Sequence, residues 1–163
     1  MIACTKTSPI GVRSPDSFFG LINGISAPYC FDIFAIFSSS VDTTTCEKIF
    51  ELTSRFVGPV FIDSKKTNLP ADAYIKVNEL EYERMSYCNY ENLIITRGGE
   101  GAEYKGDLYP AEKVNVFDVV GAGDTFLAAL AYGYLKYGRI DKAIPLANKA
   151  AAVAVSHRGT YVL

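Results

Sequence analysis

The sequence predicts an α/β fold built on a mostly parallel sheet. Short apolar runs rich in β-formers alternate with segments of helical periodicity. The polar residues Asp63, Asn78, Thr96 and Asp118 fall at or near the ends of those runs. Ligands of parallel α/β sheets bind beyond the carboxyl ends of the strands, so these four mark the functional end.

Residues 1–28 are dominated by turn formers such as Pro9, Gly11, Pro15 and Asp16, with a short apolar patch over 17–25 that could form a helix. Residues 31–37 (FDIFAIF) read as a strand buried on both faces, broken by three serines. Asp42 or Thr43 can cap a helix whose Cys46, Ile49, Phe50 and Phe56 share a face, and Gly58-Pro59 ends it. Residues 60–63, 73–77 and 92–96 are three further strands. Asn78-Glu79-Leu80-Glu81 opens a short helix after the second of these. Alternation over 102–116, broken at Gly106-Asp107, predicts antiparallel strands. Two helices close the chain, over about 121–137 and 141–155, with Pro145 near the first turn of the last one.

The 163 residues are 49% hydrophobic, enough for a sizeable core, and 21% charged, which excludes a charged disordered tail. A net charge of −2 without a basic stripe offers nothing to nucleic acid or an anionic membrane. The longest late apolar stretch, 126–135, is too short to span a bilayer, and the first nine residues lack the apolar core of a signal peptide. Cys4, Cys30, Cys46 and Cys88 have no metal-ligand spacing, and His157 has no second histidine to join it. These features predict a soluble cytoplasmic protein with reduced thiols.

The sharpest segment is Asp118-Val119-Val120-Gly121-Ala122-Gly123-Asp124-Thr125, which runs directly into an apolar helix. Small residues let the backbone approach an anion, and free first-turn amides point at it with the helix dipole in support. A carboxylate beside such a site repels a static phosphate. It suits a general base acting on a hydroxyl that attacks a phosphoryl group. A Gly/Asp helix cap is the plainer alternative.

This segment matches the D-x-x-G-A-G-D-T signature of the ribokinase-like (PfkB) carbohydrate kinases, and the resemblance extends over about residues 31–160. Ile62-Asp63-Ser64-Lys65 resembles the family's D-P-K/N turn, and Asn78 to Glu81 fits N-x-x-E. Thr96-Arg97-Gly98-Gly99-Glu100-Gly101 fits T-x-G-x-x-G, and Ala147-Asn148-Lys149-Ala150-Ala151 followed by Gly159-Thr160 resembles the closing helix and loop. Five short matches in the right order are specific where one is not. The D-x-K turn and the closing segment look nearest to the heptose-phosphate kinase branch.

The resemblance implies a ribokinase-like three-layer α/β/α fold, truncated at its N-terminal side. Residues 1–163 would be one partial kinase domain, with 31–160 as its nucleotide-binding and catalytic-base part and 1–30 unassigned. ATP and Mg²⁺ are the implied cofactors, and a sugar or sugar phosphate the acceptor. Asp124 would be the catalytic base, with Gly121, Ala122 and Gly123 as the anion hole. Glu81, with Asn78, would organise the metal and its waters. Thr96, Gly98, Gly101, Asn148 and Lys65 would contact the nucleotide.

Each has a plainer reading. Asn78 and Glu81 also form a capping-box pattern. Thr96 to Gly101 also suits a tight turn, Asn148 a helix-surface amide, Lys65 and Lys66 solvated charges, and His157 a helix-dipole partner. Nothing before Phe31 resembles the family's N-terminal half, which carries a glycine-pair motif, most sugar contacts and a β-lid. The sequence therefore also predicts self-association or a complementing chain. A non-catalytic nucleotide- or protein-binding remnant and one half of a split kinase are the alternative functions.

Overall fold

The computed structural model describes residues 2–4, 34–37, 51, 58–63, 69–85 and 90–157. Lys65, the patch over 17–25 and, apart from the helical Glu51, the helix over 42–56 lie outside the described residues.

In chain order the elements are β1 (Ile2–Cys4), β2 (Phe34–Phe37), β3 (Val60–Asp63), β4 (Tyr74–Asn78), α1 (Glu79–Arg84), β5 (Leu93–Thr96), a 3-10 turn (Gly98–Glu100), β6 (Gly101–Tyr104), β7 (Asp107–Pro110), α2 (Ala122–Tyr137) and α3 (Ile140–Val155). The strands form one seven-stranded sheet in the order of the chain. β2 to β5 are parallel, and β1 and the β6–β7 hairpin add antiparallel pairs at the two edges. Five strands, β2 to β5 and β7, thus run in one direction, as the sequence predicts for a mostly parallel sheet.

The central strands are apolar on both faces because both faces are covered. Phe61 and Ile94 pack under α2 and α3, against Phe126, Leu127, Leu130 and Ile144. Val60, Ile62, Ile75, Val77 and Ile95 point to the opposite face, into a second cluster with Leu69 and Ala73. Gly138 ends α2 in the left-handed conformation at φ 64°, its amide donating to the Tyr134 carbonyl at 2.8 Å.

Two expectations need correction. The extended alternation stops at Pro110, and residues 111–116 form no strand; Val114 and Val116 are exposed instead of packed. Pro145 lies in the second turn of α3, because that helix starts at Ile140. Its missing amide therefore deprives the Asp141 carbonyl of a helical partner.

α2 and α3 approach closely at Gly133. A Cβ there would lie 2.9 Å from Cα and 3.0 Å from Cβ of Ala143. Gly133→Ala should push the helices apart at a cost of about 1–3 kcal/mol, the usual scale of overpacking. Thermal melting would register a fall of several degrees, and an unchanged midpoint would exclude this contact as a determinant of stability.

Candidate active site

The carboxyl ends of β3, β4 and β5 and the start of α2 meet at one end of the sheet. Gly121 occupies the N-cap position of α2 in the left-handed conformation (φ 79°, ψ −2°), which favours glycine. The preceding turn is shaped by Asp118, whose Oδ1 accepts the Val120 amide at 3.0 Å. The Ala122 amide donates to the Val119 carbonyl, and the Thr125 amide makes the first helical bond to Gly121, at 2.9 Å. The amides of Gly123 and Asp124 between them find no acceptor among the described residues.

Asp124 is the third residue of α2 and is exposed. No side chain caps this helix, so Asp124 is not the hydrogen-bonded cap that the sequence left open. It stands as an acid in a helix first turn, beside two unfilled amides.

Beneath Gly123 lies a pair that sequence reasoning did not single out. Lys76, 5% exposed in the middle of β4, donates from Nζ to Asp63 Oδ2 at 2.6 Å. A Cβ on Gly123 would lie 2.8 Å from that Nζ, so a side chain there would have to displace the lysine tip. Asp63 and Lys76 are direct cross-strand partners in the parallel register. The signal was present in the sequence: a lysine inside an apolar strand needs a buried acid, and Asp63 ends the strand before it. Burial pushes the Asp63 carboxyl above its ordinary value, Lys76 opposes this, and the negative charges of Glu81 and Asp124 push it further up. Glu81 and Asp124 thus both lie within electrostatic reach of Asp63.

Asn78 and Glu81 form the capping box of α1. Asn78 Oδ1 accepts the Glu81 amide at 2.8 Å, and Glu81 Oε2 accepts the Asn78 amide at 2.9 Å. Thr96 is the cross-strand partner of Asn78, and its hydroxyl donates to the Val77 carbonyl at 3.2 Å. Arg97, also not singled out in the sequence, pairs with Glu79 of α1 and with Glu103 of β6, at 2.8 Å to the latter. It ties the start of α1 to the hairpin.

The remaining residues have other surroundings. Gly101 (φ 111°) faces the neighbouring strand: a Cβ there would lie 2.6 Å from the Ala111 nitrogen and closer still to the Tyr109 carbonyl oxygen. Hairpin closure alone requires this glycine. Gly98 (φ 52°) has open space around it. Asn148 is buried instead of lying on the helix surface, and its Nδ2 donates to the carbonyls of Tyr109 and Pro110 at 2.8 and 3.3 Å. His157 Nδ1 is 2.8 Å from the Val153 carbonyl, at the C-terminal end of α3, where the dipole reading put it.

Among the described residues no three His, Cys, Asp or Glu side chains gather to hold a metal ion. Glu81 presents a single carboxylate, a donor type that Mg²⁺ takes together with waters and substrate phosphates. No helix among the described residues is long and apolar enough to cross a membrane.

A family model described as pfkB family carbohydrate kinase matches residues 36–163. The chain belongs to the pfkB carbohydrate kinase family. Among curated pfkB-like relatives, the Bifunctional protein HldE of Paramagnetospirillum magneticum is 40% identical over 80 residues, 46% of this chain and 16% of that protein. The HldE of Campylobacter concisus is 36% identical over 100 residues, 60% of this chain and 21% of that protein. These relatives carry the name of the heptose-phosphate kinase branch. Among solved structures, aminoimidazole riboside kinase from Salmonella enterica, complexed with aminoimidazole riboside and an ATP analog, superposes with a TM-score of 0.61 at 22% identity. That superposition covers 77% of this chain and 57% of the kinase, and it shows the pfkB chain to have the α/β ribokinase-like fold.

Proposed function

We propose that the chain carries the nucleotide-binding and catalytic-base part of a sugar kinase, transferring the γ-phosphoryl group of ATP to a hydroxyl of a sugar or sugar phosphate. The supporting observation is the start of α2, where an exposed acid that makes no cap bond adjoins two amides without acceptors among the described residues. Asp124 takes the proton from the acceptor hydroxyl as its oxygen attacks the γ-phosphorus. The bond to the β-phosphate oxygen breaks, and ADP leaves. The Gly123 and Asp124 amides, on the turn set by Gly121 and Ala122, hold the equatorial oxygens of the transferring group. Mg²⁺ bound with the nucleotide would neutralise phosphate charge. Glu81, fixed by its bond to the Asn78 amide, would hold that ion through water. Thr96 and Gly98 border the phosphates and ribose, and Lys65 reaches a phosphate. Asn148 acts on the nucleotide side indirectly, by holding the end of the hairpin.

A second reading, one half of a split kinase completed by another chain or by a second copy, is favoured by a different observation. Val116, Phe117, Val119 and Val120, on the segment that enters α2, are all more than 60% exposed.

Millimolar Mg·ATP should raise the melting temperature of the chain by mass action, by about 2.7 kcal/mol of stabilisation at a hundredfold excess over Kd. ADP release should follow when a panel of sugars and sugar phosphates is added, with the chain alone or with an acceptor-binding half. A folded chain with no thermal shift and no binding heat would end the kinase reading. A shift without turnover in either arm would leave a nucleotide-binding remnant.

A further inference from the structure

Resting on the kinase reading, we propose that Lys76 is the fixed cation of the phosphoryl site: its ammonium, held by Asp63 behind Gly123, supplies positive charge to the terminal phosphate of the nucleotide. Lys76 sits between Ile75 and Val77, both fully buried. Apolar replacement of a buried ion pair is often neutral or stabilising, so packing alone gives no reason for a charge there. The start of a helix also repels cations, because its free amides already carry partial positive charge. An ammonium placed against the first turn of α2 is therefore costly even with Asp63 as its partner, and a bound anion would offset that cost.

The orientation of the pair points the same way. From the place where a Gly123 Cβ would sit, Nζ is 2.8 Å away and the Asp63 carboxylate oxygen 3.8 Å. The ammonium is thus the nearer of the two groups to the helix start, and the carboxylate oxygen lies to its side. With no side chain on Gly123, the ammonium can lie next to the backbone of that residue. The lysine and the two amides act on one anion from two sides, with the geometry fixed before it binds.

The test is calorimetric titration of the full chain with Mg·ATP and, separately, with AMP, which lacks the terminal phosphates. Lys76→Met and the double variant Asp63→Asn/Lys76→Met are compared with wild type. The double variant removes both charges of the Asp63–Lys76 pair together and decides the matter if Lys76→Met does not fold. Loss of the ammonium should raise the Kd for Mg·ATP about tenfold or more, the scale of one charge-assisted contact, and leave that for AMP almost unchanged. Equal weakening of both nucleotides would mean a merely structural lysine and would overturn the proposal. So would an unchanged Mg·ATP affinity. Failure of the wild-type chain to bind either nucleotide would overturn the kinase reading and this proposal together.

Discussion

Replacing Asp124 by asparagine is expected to lower turnover by about 10²–10⁴-fold, the usual contribution of a general base. The fold should survive. Asp124 makes no capping bond, and its favourable interaction with the helix dipole is worth only about 0.3–1 kcal/mol. Affinity for Mg·ATP should hold or improve, since a negative charge is removed from beside the phosphates. Steady-state kinetics and a thermal melt on the same preparation would check both halves of the expectation. A variant with full turnover would leave Asp124 as a dipole partner only. A variant that lost turnover and melted far below wild type would indicate a structural role.

The largest expected effect on stability lies at Gly101. Alanine there must hold φ near 111° and place its Cβ against the backbone of Tyr109 and Ala111. Backbone atoms do not yield as a flexible side-chain tip does, so the hairpin must open. The expected cost is about 3–5 kcal/mol, with a fall in melting temperature on the order of 10 °C. Gly98 is the internal control. It too has positive φ, but its surroundings are open, so Gly98→Ala should cost only about 1–2 kcal/mol. Matched losses at the two positions would show that the close approach at Gly101 is relieved at little cost.

The sequence was informative where one signal was both local and strong. β3 is a continuous apolar run closed by an acid, and its limits, 60–63, are those expected. The last two helices begin and end within about a residue of their expected positions, because their apolar periodicity is bounded by Gly121 at one end and Gly138 between them. β1 has no such signal. Its three residues are a strand only because they pair with β2, 30 to 34 positions away. Over 111–116 the alternation exists without a neighbouring strand to use it.

At the site, the residues of the short motifs were legible, but their physical reasons were not. Gly123 and Gly101 belong to motifs that the resemblance assigned to ligand binding. The structure adds that one clears Lys76 and the other clears a hairpin backbone. Lys76 belongs to no motif used in reading the sequence, and its importance arises from a cross-strand register that sequence spacing does not state. Asn148 matched a motif, yet its amide is committed to the hairpin through partners 38 and 39 positions away.

The hairpin edge has a consequence for how chains of this kind avoid polymerising. β7 closes one side of the sheet, and a bare outer strand is a template on which another molecule can continue the hydrogen-bond ladder. β7 is four residues long, ends in Pro110, which has no amide to offer, and carries the charge of Asp107. Each of these makes strand-by-strand growth from that side unproductive. Fibrillar growth by strand addition is thereby discouraged at this margin.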